Sequence, residues 1–167
     1  MHDRTPSVEQ WYFEDIEVGA SFDIPSKTIT DTHFVLFSGL TGDFHPIHMD
    51  EQYAEKETDF GRRVAHGTMI SMFTITGASS LSPHLHDSAI AFLEHTNRFQ
   101  NPVFEGDTIY PQLTVAEKED KSDKGILILE STVHNQNDEL VLEGELKLLV
   151  ASRNADETGE DTTGTAE

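Results

Sequence analysis

Residues 66–83, HGTMISMFTITGASSLSP, contain no Asp, Glu, Lys or Arg. A helix of this length would span about 27 Å, and a helix without a charged face has to be buried. The β-branched residues and Gly77 lower the helix propensity and keep a strand open as the competing interpretation. The length, the small residues and Pro83 at the end favour the helix. The sequence therefore predicts one long buried helix over 66–83.

The segments around this stretch predict an antiparallel sheet and short helices. Strands are predicted at 89–99, 107–118, 125–135 and 139–150, and the last is the clearest because leucines alternate there with charged residues. A short helix is predicted at 32–41, capped by Thr30 or Asp31 and ended by Gly42, and a second one after an Asp50 cap. The fold class is α+β, an antiparallel sheet wrapped around the buried helix, and an uncovered sheet predicts a homodimer that continues it.

Charge and composition limit the partners, the chemistry and the cellular location that we expect for this protein. The chain has 31 acidic residues against 11 Lys and Arg, a net charge of −20, and no Cys. This acidity argues against a nucleic-acid partner, and the missing Cys removes disulfides, thiolate nucleophiles and Cys-bound metals. Neither a run of 18 apolar residues nor a signal-peptide core is present, so we expect no membrane helix and a cytoplasmic protein. We expect one domain at 1–150 and a disordered acidic tail at 151–167.

The segment 42–48, GDFHPIH, places a carboxylate and two imidazoles around a proline. Pro46 stiffens the chain between Asp43 and His48, and a water held between these two side chains would undergo general acid–base chemistry. The alternative is an ordinary turn cap and a surface imidazole. A metal site formed by His45 and His48 lacks the helical spacing of HExxH and a third ligand, so no metal is predicted.

A second segment, 63–69 or RVAHGTM, places Gly67 where the buried helix is predicted to begin. The first amides of a helix lack intrahelical acceptors and carry a positive dipole, which suits a carbonyl oxygen that gains negative charge. The alternative is a plain helix start with a structural His66. The chain has no GxGxxG, Walker or GxSxG motif, so we expect neither a nucleotide cofactor nor a serine nucleophile.

Three segments together resemble the MaoC-like dehydratase family, which includes the (R)-specific enoyl-CoA hydratases of the hotdog fold. They are FSGLTGDFHPIHMDEQYA at 37–54, AHGTMIS at 65–71 and NPVFEGDTI at 101–109. The resemblance implies a hydro-lyase of acyl-CoA metabolism that adds water to an enoyl-CoA, or removes it, to interconvert enoyl-CoA and (3R)-3-hydroxyacyl-CoA. No cofactor is implied, and the family works as homodimers or larger assemblies.

The same resemblance implies roles for individual residues. Asp43 and His48 match the catalytic dyad, and Gly67 matches the glycine whose amide polarises the thioester carbonyl. His45, which stands where the family usually has Asn, and His66 are expected to help bind the substrate. The competing functions are a hotdog acyl-CoA thioesterase, which shares the architecture, and a non-enzymatic acyl-CoA-binding or regulatory dimer.

The net charge of −20 also predicts a salt requirement typical of a halophilic protein. Self-repulsion strains a compact fold at low salt, and the screening length falls to about 3 Å at 1 M salt. The midpoint of thermal unfolding, followed by circular dichroism, should therefore rise steadily from dilute buffer to molar KCl. Full stability in dilute buffer would instead indicate an ordinary well-solvated acidic surface.

Overall fold

The computed structural model describes residues 8–153 of the chain. The helices are α1, α2, α3 and α4, at Asp31–Thr41, Pro46–Met49, Glu51–Glu57 and Gly67–Ser71. The strands are β1 to β6, at Ser21–Asp23, Lys27–Thr28, Ala89–Phe99, Thr108–Asp120, Lys124–Asn135 and Leu140–Ala151. Short 3-10 turns lie at Phe13–Asp15, Met72–Thr74, Thr76–Ala78 and Ser82–Leu85.

All six strands form one antiparallel sheet in the order β1-β4-β5-β6-β3, with β2 also paired to β4. Strands β3 to β6 match the four predicted segments to within two residues at each end. The alternation in β6 faces Leu146, Leu148 and Val150 into the core. The predicted α+β class with an antiparallel sheet is confirmed.

The predicted caps explain where the first helices begin and end. Thr30 is the N-cap of α1, and its backbone amide donates to Nδ1 of His33 at 3.0 Å. Gly42 ends α1 with φ of +80°, a conformation that costs glycine little. Asp50 caps α3, because its Oδ1 accepts from the amide of Tyr53 at 3.0 Å.

The long helix predicted over 66–83 is wrong in its extent. The helix α4 covers Gly67–Ser71 only, and the chain continues through 3-10 turns that are interrupted at Ile75, where φ is −70° and ψ is 144°. The run of Thr, Ile and Gly residues has low helix propensity, and packing against the sheet rewards separate apolar contacts rather than a continuous helix. The segment still supplies buried side chains, among them Met69, Ile70 and Leu81.

This irregular segment packs on one face of the sheet and divides the core into two clusters. One cluster gathers Leu81 and Leu85 with the inward leucines of β4, β5 and β6. The other gathers α1 and α4, through Phe34, Met69 and Ile70, with the opposite ends of the same strands. The GDFHPIH segment follows α1 directly and therefore lies beside the second cluster.

The predicted tail at 151–167 lies outside the described residues except for 151–153, where Ala151 completes β6 and Ser152 is buried. No helix within residues 8–153 is long and apolar enough to cross a membrane.

Arg63 joins three parts of the chain that surround the GDFHPIH segment. Its guanidinium binds Asp31 at 2.8 Å, Glu51 at 3.0 Å and Glu105 at 3.2 Å, and its side chain is only 16% exposed. It also lies 5.5 Å from the centre of the buried Phe34 ring, within cation–π range. One largely buried cation thus ties α1 and α3 to the loop that precedes β4.

Replacing this cation should destabilise the fold. Arg63→Gln leaves three carboxylates close together without a counter-charge, and because these carboxylates are about half exposed we expect a loss of about 1–3 kcal/mol of unfolding free energy. Arg98→Gln is the matched control, since it removes the same charge from an exposed pair with Glu143 and should cost less than about 1 kcal/mol. Urea unfolding measures both, and equal losses would reject the special role of Arg63.

Candidate active site

Local backbone geometry aims Asp43 out of the end of α1. After the left-handed turn at Gly42, the Asp43 amide donates to Oγ1 of Thr41 at 3.2 Å. Asp43 Oδ1 then accepts from the amide of His45 at 3.2 Å. The second carboxylate oxygen is exposed and free for another partner.

His45 and Pro46 start the single turn of α2 that carries His48. Pro46 occupies the first helical position, where its missing N–H costs nothing. His45 is the N-cap, and its Nδ1 accepts from the amide of Ile47 at 3.2 Å. The His45 ring therefore orients the backbone of its own loop, and the substrate contact predicted for it stays a prediction.

His48 has one ring nitrogen fixed and one available. Its Nδ1 lies 2.7 Å from the main-chain oxygen of Val64. A carbonyl only accepts, so Nδ1 carries the proton and the neutral ring presents Nε2 as an acceptor. The half-buried ring is thus held in one tautomer, with its basic nitrogen free for proton transfer.

His66 is buried and holds the loop in place from below. It is 2% exposed, and its ring stacks on that of His48 with centres 3.8 Å apart. Its Nε2 lies 3.1 Å from the main-chain oxygen of Asp43 and 3.3 Å from Oγ of Ser38, which in turn donates to Sδ of Met49. His66 therefore donates from Nε2 and touches both Asp43 and His48.

The electrostatics of His66 favour its neutral form. Burial lowers the pKa of the His66 imidazole, the hydrogen bond to the Asp43 carbonyl opposes this, and the neighbouring His48 adds to the lowering. Its Nδ1 is buried and has no hydrogen-bond partner within residues 8–153. A neutral ring suits this position because Nδ1 then needs no acceptor.

Asp43, His48 and His66 converge at one point. Each offers a carboxylate oxygen or ring nitrogen, and these atoms lie within 4.8 Å of one another. Two acceptors at this separation can share a single bridging water, because each hydrogen bond spans about 2.8 Å. The three groups could also supply donors to a metal ion, but stacked rings direct their lone pairs side by side rather than towards one ion, so the geometry favours proton chemistry.

A cleft of about 510 Å³ opens next to these residues. His48 and Gly67 both line it, and its other walls are mainly apolar, from Phe60, Ile70 and the turn at 99–103. The Gly67 amide opens α4 and has no hydrogen-bond acceptor in the described part of the chain. The ring of Phe99 lies against this glycine, where a Cβ would come within 3.1 Å of it. A side chain at this position would require the half-exposed Phe99 ring to shift by a few tenths of an ångström.

Sequence reasoning predicted Asp43, His48 and Gly67 as site residues, and the structure places Asp43 near His48 and His48 beside Gly67, but the partners that hold them were not predicted. The contacts of Ser38, Val64 and Phe99 join segments far apart in the chain, and no spacing within the sequence signals them. The placement of His66 at the N-cap of α4 is confirmed, whereas its contact with the Asp43 carbonyl was not predicted.

The burial of His66 predicts how the unfolding free energy depends on pH. The folded-state pKa lies below the free value of about 6.5, so the unfolded chain binds more protons once the pH falls below that value. The unfolding free energy should therefore fall as pH drops below about 6.5 and should not depend on this group above it. An NMR titration of the His66 ring checks this directly, and a midpoint at or above the free value would contradict it. His66→Gln should reduce the acidic loss.

Comparison with known proteins identifies the family. The model of the MaoC-like domain matches residues 15–137. The chain is 34% identical to a 3-hydroxybutyryl-CoA dehydratase of Methylorubrum extorquens, over 89% of each chain. It is 32% identical to an (R)-specific enoyl-CoA hydratase of Rhodospirillum rubrum, over 85% of this chain and 93% of that one.

A solved structure shows the same architecture. A monoamine oxidase regulatory protein from Archaeoglobus fulgidus superposes with a TM-score of 0.81 at 34% identity, over 87% of this chain and 97% of that one. The family model covers most of the sheet and the whole GDFHPIH segment. The chain therefore belongs to the MaoC-like family and has its hotdog fold.

Proposed function

We propose that the protein is a hydro-lyase that interconverts an enoyl-CoA and a (3R)-3-hydroxyacyl-CoA. The observation that carries the proposal is the convergence of the Asp43 carboxylate and the His48 ring within 4.8 Å, beside a cleft that is lined by His48 and Gly67 but not by Asp43. The relatives named 3-hydroxybutyryl-CoA dehydratase and (R)-specific enoyl-CoA hydratase support it. The name of the second supports the (3R) product.

The roles proposed for the dyad follow from its hydrogen bonds. The free oxygen of Asp43 and Nε2 of His48 are both acceptors, so together they hold a water with its oxygen lone pair turned to the substrate. One of them removes a proton as the oxygen attacks C3 of the conjugated thioester, and that proton is then returned to C2. Positioned proton transfers of this kind contribute typically 10²–10⁴-fold.

Gly67 is proposed to stabilise the charge that the attack creates. Addition at C3 moves an electron pair through C2 and places negative charge on the thioester oxygen as an enolate. The open Gly67 amide at the start of α4 is available to donate to that oxygen. One such donor contributes about 2.7–4 kcal/mol to a transition state.

His66 and His45 are proposed to act mainly through the dyad. His66 donates to the Asp43 carbonyl and supports the His48 ring, and His45 caps the turn that carries His48. Neither ring lines the cleft, so the substrate contacts predicted for them would have to involve a ligand that extends towards the loop.

A homodimer remains part of the proposal. Strand β3 pairs only with β6 among the described residues, so its outer edge is open. Its exposed apolar side chains are Ile90, Phe92, Leu93 and Phe99. An open edge with exposed apolar residues suits pairing with a second copy, which would also cover one wall of the cleft at Phe99.

The cytoplasmic location also stays a prediction.

The activity can be tested by following the enoyl absorbance of crotonyl-CoA in molar KCl. Wild type should hydrate it, and Asp43→Asn and His48→Ala should each lose at least about 100-fold in kcat/KM. Asp23→Asn and His134→Ala are matched controls, because both residues line a separate depression on the sheet, and each should keep full activity.

Two results would contradict the proposal. Release of free CoA without hydration would favour the thioesterase. Binding of acyl-CoA without turnover would favour a binding or regulatory protein, the role named for the Archaeoglobus relative.

A further inference from the structure

We propose that Arg62 binds a phosphate group of the CoA thioester outside the cleft, an inference that rests on the proposed function. The starting point is charge, since the chain has a net charge of −20 and coenzyme A is itself a polyanion. Exposed charges act over about 8 Å at physiological ionic strength. An anionic ligand therefore needs a cation close to where it enters.

Most cations within residues 8–153 are already occupied. Those paired with carboxylates are Arg63, Arg98, Lys121, Lys124, Lys147 and Arg153. Lys118 donates to the Ile16 carbonyl. Lys27, Lys56, Lys118 and Arg62 have no carboxylate partner among the described residues, and of these only Arg62 lies in sequence between two residues of the cleft wall, Phe60 and Val64.

Aromatic contacts hold the Arg62 guanidinium beside the cleft. Its central carbon lies 4.0 Å from the centre of the Phe104 ring. That ring meets the Phe60 ring edge-on at 6.3 Å, and Phe104 pairs with Val64 through an isolated β-bridge. Arg62 is thus attached to the outside of the wall whose inner side faces the substrate.

The contact with Phe104 leaves the N–H groups of Arg62 available. The guanidinium carbon lies in cation–π contact with the ring, and N–H groups directed away from the ring would match two phosphate oxygens. The cleft of about 510 Å³ suits the acyl group and the adjoining arm. The phosphates of coenzyme A would therefore lie outside, on the surface where Arg62 is exposed.

Nearby carboxylates limit the affinity that Arg62 contributes. Arg62 shares a surface depression with Glu51 and Glu105. Arg63 binds both carboxylates, at 3.0 and 3.2 Å, and also Asp31, so this cluster keeps an excess of negative charge that lowers the contribution of Arg62. We therefore expect a moderate contribution, of about five- to tenfold in affinity.

The inference can be tested by measuring the Kd of free coenzyme A by calorimetry. The measurement is made at the lowest KCl concentration that keeps the protein folded. Arg62→Gln should raise the Kd about five- to tenfold. Arg98→Gln is the matched control, because Arg98 precedes Phe99 on β3 and points to the opposite face of the strand; it should change the Kd less than about twofold. The thioester of crotonate with N-acetylcysteamine has no phosphate, so its KM should be the same in wild type and Arg62→Gln.

Several outcomes would reject the proposed role of Arg62. An unchanged Kd, equal weakening by both variants, or an equal effect on the phosphate-free thioester would show that Arg62 does not bind a phosphate. A changed particle mass for Arg62→Gln in light scattering would assign Arg62 to a contact between copies. Arg62-dependent binding without hydration would reject the proposed function alone, whereas hydration with an unchanged Kd would reject this inference alone.

Discussion

The pairing of β4, β5, β6 and β3 along almost their whole lengths determines where the other parts of the molecule lie. Its register places leucines on one face, and the uncharged segment after residue 66 packs on that face. The same register brings Phe99 at the end of β3 against Gly67. The position of the Gly67 backbone is therefore a consequence of strand pairing far from it in sequence.

The site itself combines local and long-range contacts. Gly42 turns the chain and His45 caps the turn that follows, and both effects act within a few residues. The contacts of His66 with Asp43 and His48 instead bridge 23 and 18 positions. Short-range geometry orients Asp43 and His48, and the buried His66 imidazole contacts both of them.

The sequence predicted what depends on neighbouring residues. Strands β4, β5 and β6 were predictable because one face of each is buried, which imposes alternation, as in Leu146, Leu148 and Val150. Caps such as Thr30 and Asp50 were predictable because they bind amides two or three residues on. The helix over 66–83 was not, because missing charge signals burial but does not specify the backbone conformation, and Ile75 adopts an extended one. The role of Arg63 was also hidden, since its three partners are scattered.

The hydrogen bond from His48 to Val64 is less sensitive to substitution of its acceptor residue than a bond between two side chains. Its acceptor is a main-chain oxygen, which every amino acid supplies. Replacement of Val64 by another residue would change the lining of the cleft but would keep that acceptor, as long as the backbone stays in place. The apolar lining of the cleft can therefore change by substitution while the tautomer of the His48 ring stays the same.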